Sequence, residues 1–111
     1  MRYYISGQVT NNPNYMVDFE RAEMWLKLQG YEAINPCKVQ YDFFTYAEHM
    51  KIDLALLELC DGIYMLSNWK QSNGAKTELA VAKALGKKVK FESKQWKLRT
   101  EANHDPRAGH K

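Results

Sequence analysis

The apolar residues of this chain alternate between two spacings, and no other feature narrows its possible folds so far. Short blocks of continuous or every-second apolar residues, as in strands, are separated by blocks spaced three and four apart, as in helices. Tyr3 to Ser6 reads as a short buried strand closed by Gly7, and a loop from Gln8 to Asn14 follows, with the turn formers Asn11, Asn12 and Pro13. The stripe Tyr15, Phe19, Ala22, Leu26 predicts a first helix, ended by Gly30. Glu32 to Asn35 reads as a second strand, stopped by Pro36. Thr45 and Glu48 have the spacing of a capping box and open a second helix through Met50, Leu54, Leu57 and Cys60. Gly62 to Leu66 is the third strand. Gly74 and Ala75 open a third helix through Leu85, which Gly86 closes, and Lys87 to Glu92 alternates as an edge strand does.

Strands joined by helical crossovers run parallel, and right-handed crossovers assemble them into a small doubly wound α/β sheet of four or five strands flanked by helices. A length of 111 residues, 45% apolar and 26% charged, is that of one globular domain. We assign it to residues 1–92 and treat 93–111 as a basic tail. In such sheets ligands bind beyond the carboxyl ends of the strands. The loops at residues 6–14, 35–44 and 67–73 are therefore the places to look for a site.

Charge and cysteine content remove several function classes. The formal charge is +3, yet residues 1–92 carry eleven basic and eleven acidic side chains, so the whole excess lies in the tail. That is far from the clustered basic face needed to hold a phosphate backbone, and nucleic acid ranks last among candidate partners. No stretch approaches the roughly 20 apolar residues of a membrane span, and the amino terminus lacks the long apolar run of a signal peptide. The expectation is a cytoplasmic protein with Cys37 and Cys60 as free thiols. His49, His104, His110 and the two cysteines show no paired ligand spacing, so no metal site is expected. Trp69, in the third loop, either stacks on a base or merely covers the crevice.

Two carboxylates occupy odd positions. Glu78 lies three residues after Ala75, four before Ala82 and seven before Leu85, on the apolar stripe of the third helix. A glutamate there ordinarily snorkels or pairs with a lysine. Its place near the helix start, after a Ser-Asn-Gly loop, instead suggests a carboxylate facing the crevice from the first helical turn. Burial raises a carboxylate pKa and a helix start lowers it, and the second effect is expected to win. Asp53 repeats the pattern on the second helix, where its bland alternative is an ion pair with Lys51 or Lys76. Two inward carboxylates in one crevice suit glycosidic bond cleavage, one attacking or stabilising the anomeric carbon and one protonating the leaving group. Gly7 permits close backbone approach to a ligand. Ser72, Asn73 and Gly74 either receive a phosphate at the start of the third helix or form an ordinary cap.

These motifs together resemble the nucleoside 2-deoxyribosyltransferase-like family, in particular its small bacterial and phage members, near the nucleoside 5′-monophosphate N-glycosidases. The likeness spans residues 2–92. It rests on Tyr4-Ile5-Ser6-Gly7, on Gly30-Tyr31-Glu32 through Asn35-Pro36, on Asp53 eight residues before Asp61-Gly62-Ile63-Tyr64, and on Ser72 through Glu78. It implies a flavodoxin-like sheet, Glu78 as a nucleophile on the sugar carbon bearing the base, Asp53 near the base as acid or positioner, and Tyr4 placing the nucleophile. Ser72 stands where nucleoside transferases carry an aspartate, six residues before the glutamate, and a hydroxyl there suits a 5′-phosphate that an aspartate would repel. Gln8 replaces the proline or serine common after the first-loop glycine, and the loop between Asp61 and Glu78 is one residue longer than in the hydrolase branch. Relatives commonly form dimers or larger oligomers, so a homodimer is expected.

The leading expectation is an N-glycosidase that hydrolyses the base–sugar bond of a nucleoside 5′-monophosphate, without cofactor. Its rival is a nucleotide-binding sensor or sequestering protein that leaves the ligand intact.

Overall fold

The computed structural model describes residues 1–93, so the tail assigned to 93–111 lies, beyond Ser93, outside the described residues. Four strands, β1 (Arg2–Ser6), β2 (Glu32–Ile34), β3 (Gly62–Met65) and β4 (Lys88–Phe91), form one parallel sheet in the order β2-β1-β3-β4. Helices α1 (Tyr15–Leu28), α2 (Tyr46–Glu58) and α3 (Asn73–Ala84) connect them, with short 3₁₀ turns at Pro36–Val39 and Trp69–Gln71.

Strand parity sorts the core into two layers. Tyr3, Ile5, Tyr64 and Leu66 pack with Phe19, Ala22 and Leu26 of α1. On the opposite face Tyr4, Ile63 and Met65 pack with Leu57 of α2 and with Ala75, Leu79 and Ala82 of α3. The central strands β1 and β3 are nearly all buried, whereas β2 and β4 are half-buried edges.

Local hydrogen bonds set the helix ends. Gly30 (φ 87°) and Gly86 (φ 71°) take left-handed conformations that end α1 and α3. At each, the following amide donates five residues back, Tyr31 to Leu26 and Lys87 to Ala82, which closes a Schellman motif. The capping box opening α2 is complete: Thr45 Oγ1 accepts from the Glu48 amide at 3.1 Å and Glu48 Oε1 from the Thr45 amide at 2.8 Å.

Strand β2 ends at Ile34, one residue earlier than its sequence suggests, because Asn35 turns aside. Its Oδ1 accepts from the Cys37 amide at 3.0 Å and its Nδ2 donates to Glu23 Oε1 at 3.2 Å. Ser72 caps α3 by accepting from the Ala75 amide at 3.0 Å, so the helix begins at Asn73 and Glu78 is its sixth residue. Glu78 is thus in the second turn, not the first. No helix among the described residues is long and apolar enough to cross a membrane.

Candidate active site

The strand order reverses between β1 and β3, since the chain crosses from β1 to β2 on one side and from β3 to β4 on the other. Beyond the carboxyl ends of these strands lies a cavity of about 390 Å³, within the roughly 300–1,000 Å³ of small-molecule sites. The first loop contributes Gly7 to Asn11, the second Pro36 and Gln40, the third Gln71 to Gly74, and the helices Met50, Asp53 and Glu78. Tyr4, Gly7, Asp53, Ser72, Asn73, Gly74 and Glu78, distant in the chain, therefore border one space.

Glu78 is buried at 5% exposure, and both of its oxygens are held. Tyr4 Oη donates to Oε2 at 2.9 Å and Ser6 Oγ donates to Oε1 at 2.6 Å. Tyr4 and Ser6 are two residues apart on β1, so the pleat turns both hydroxyls to the face covered by α3. Ser6 is the member of this group not singled out as a site residue from sequence. Its signal was available: it shares strand parity with Tyr4 and precedes the first-loop glycine.

Burial is the largest influence on the Glu78 carboxyl and pushes it up to about 7, aided by the negative neighbour Asp53 and opposed by the Ser6 and Tyr4 hydroxyls. The expectation that the helix start would win is corrected here. The favourable end of a helix acts over its first turn, and Glu78 lies past it.

Asp53, half-buried, meets His49, Glu78 and Tyr4 rather than Lys51 or Lys76. Its carboxyl is pushed up to about 6, again by burial first, with His49 and the contacts to Glu78 and Tyr4 pulling the other way. Asp53 and Glu78 act on each other's ionisation, and both carboxyls are held above the usual carboxylate range. Such a pair can present an ionised carboxylate and a protonated carboxylic acid at once. Burial, followed by the charge on Glu78, raises the Tyr4 phenol well above its usual range, which keeps it a hydrogen-bond donor.

Gly7 borders the cavity, but its lack of a side chain answers to packing. A Cβ there would lie 2.5 Å from Leu66 Cδ1 and 2.8 Å from Leu66 Cβ. Gly74 is hemmed in by the first turn of α2, since a Cβ would meet Tyr46 Oη at 3.1 Å and Met50 Sδ at 3.5 Å. Ser72 makes the cap that its position suggests, and its hydroxyl proton is not used in that bond. The first loop is tied to the third, because the Gln8 amide donates to Asn68 Oδ1 at 3.1 Å. Trp69 is not among the residues lining the cavity: it packs on the core below the third loop and against Phe91.

Burial, then the charge on Asp53, pushes the Cys37 thiol up to about 12, which removes it as a thiolate nucleophile. Cys60 is a buried free thiol donating to the Leu56 carbonyl. Among the described residues no group of three or more His, Cys, Asp or Glu side chains is placed to hold a metal ion.

Residues 1–91 match a family described as a domain of unknown function, DUF4406. Among solved structures, the 2-deoxyribosyltransferase from the psychrotolerant bacterium Bacillus psychrosaccharolyticus resembles this chain with a TM-score of 0.65, covering 82% of this chain and 71% of its own at 20% identity. That likeness establishes the fold, a flavodoxin-like parallel sheet with three flanking helices. No curated protein matches the sequence.

Proposed function

The chain belongs to the DUF4406 family, and from that premise and the geometry of its cavity we propose that it hydrolyses the N-glycosidic bond of a nucleoside 5′-monophosphate. One observation carries the reading: a buried glutamate gripped at both oxygens by Tyr4 and Ser6, with the Asp53 carboxyl against it. The fold shared with a 2-deoxyribosyltransferase adds support.

In the first step a Glu78 oxygen attacks the sugar carbon bearing the base. The carbon–nitrogen bond breaks, its electron pair goes to the base nitrogen, and Asp53 delivers a proton there. In the second step Asp53 takes a proton from water, the water oxygen bonds to the same carbon, and the Glu78 ester breaks to release sugar phosphate. Two adjacent carboxyls suit this retaining course better than an inverting one, which needs room for water between them. No cofactor is required. The first amides of α3, beside the Ser72 hydroxyl, suit the 5′-phosphate. The homodimer that the resemblance implies belongs to the same proposal.

Incubation with ribo- and deoxyribonucleoside monophosphates, followed by chromatography for free base, tests the reading. Release by wild type and its loss in Glu78→Gln are expected. No release, or equal release by the variant, overturns it, and an intact nucleotide recovered in complex points to a binding protein instead.

A further inference from the structure

His49 carries the most informative unused atom of the molecule. Its Nε2 is buried and has no hydrogen-bond partner among the described residues. Leaving a buried polar atom unmet is unfavourable, and such atoms are rare enough in folded proteins to need an explanation. The atom belongs to a side chain that lines the same cavity as Asp53 and Glu78. His49 precedes Asp53 by four residues on α2, so the two share one face of that helix, about one turn apart. Phe44 packs against the ring, edge to face with centroids 5.6 Å apart. Phe44 in turn packs with Tyr41 and Phe43. A held ring with an unpaired buried nitrogen is preorganised for a partner that arrives with the ligand.

We propose that His49 is the base contact of this site, its Nε2 hydrogen-bonding a polar atom on the outer edge of the heterocycle. The inference rests on the reading above: Glu78 marks the sugar carbon and Asp53 the glycosidic nitrogen, so a group one helical turn beyond Asp53 faces the far side of the base. There a hydrogen bond anchors the ring and helps it accept the electron pair of the breaking bond. A sugar phosphate alone offers Nε2 no such partner.

Two measurements test this. The first is nuclear magnetic resonance of protein labelled with ¹⁵N-histidine, the His49 signals being assigned by their loss in His49→Gln. Free adenine, hypoxanthine, cytosine and uracil are added in turn, then ribose 5-phosphate. A shift of the His49 Nε2 resonance with at least one base and not with ribose 5-phosphate is expected. No shift with any base, or the same shift with ribose 5-phosphate, overturns the assignment.

The second is kinetic. In His49→Ala, base release from nucleotides falls about 10- to 100-fold, as for one lost hydrogen bond in the transition state. Cleavage of a 4-nitrophenyl ribofuranoside 5-phosphate, whose leaving group lacks the heterocycle and departs unaided, falls at least about fivefold less than base release does. Equal losses on both substrates, or none on either, overturn the inference. Wild type inactive on every nucleotide overturns the hydrolase reading instead, and the resonance measurement still decides the role of His49.

Discussion

Ser6 Oγ donates to Glu78 Oε1 at 2.6 Å across 72 residues of chain. Among the influences on the Glu78 carboxyl, this bond is the largest that favours the ionised form against burial. Ser6→Ala removes it, and the ionisation of Glu78 then moves further above about 7. The rate of base release at pH 6 is expected to fall by about tenfold or more, with less loss at pH 8. Ser6→Thr, which keeps the hydroxyl, should restore the wild-type pH profile, whereas the isosteric Ser6→Val should not. Profiles of kcat for the three variants make the comparison.

The acidic pair predicts a bell-shaped pH dependence. Activity rises as the pair gives up its first proton and declines as it gives up the second, the two carboxyls ionising near 6 and 7. Replacing Asp53 by asparagine removes a neighbour that pushes Glu78 up, so Glu78 ionises at lower pH and the alkaline limb disappears. It also removes the proton donor, and kcat falls by roughly 10²- to 10⁴-fold. An alkaline limb that persists after Asp53→Asn contradicts the pairing.

Stability should depend on the same carboxyl. In the unfolded chain Glu78 releases its proton around 4.5, whereas in the fold it holds the proton up to about 7. Between these values the native state binds more protons than the unfolded state, so stability falls as pH rises through that window and stays lower above it. Glu78→Gln removes the penalty: we expect stabilisation by up to about 3 kcal/mol at pH 8 and little change at pH 4. Denaturant unfolding at the two pH values reads the difference directly.

Gly7 and Leu66 define a packing limit beside the cavity. A methyl group at position 7 overlaps the Leu66 side chain, with Cδ1 at 2.5 Å. Gly7→Ala should destabilise by about 1–3 kcal/mol, as overpacking does. Leu66→Ala in the same chain should relieve the overlap at Cδ1 and Cγ but not at Cβ, 2.8 Å away, so that the two changes together cost somewhat less than the sum of each alone. Thermal unfolding of the four proteins closes the cycle, and strict additivity contradicts the contact.

Much of this molecule was legible along the chain. The stripe of α1, the Thr45–Glu48 capping box and the terminating Gly30 and Gly86 express themselves through partners within a few residues. So do the order of strands and helices and the inward side of Glu78, because apolar spacing reports which face of an element is buried. The site was legible only in outline. Sequence carries the parity of Tyr4 and Ser6, but not that their hydroxyls converge on a glutamate 74 and 72 residues away.

Which force governs Glu78, what occupies the space that Gly7 leaves, and that Trp69 turns to the core while His49 keeps a nitrogen unpaired beside the cavity were settled by tertiary structure. Sequence determined the elements and their buried faces because those depend on contacts between near neighbours. The protonation of the carboxyl pair and the identity of the cavity walls were decided by packing, because desolvation and hydrogen bonding there come from α2, α3 and β1 at once, and no local pattern encodes how three separate segments meet.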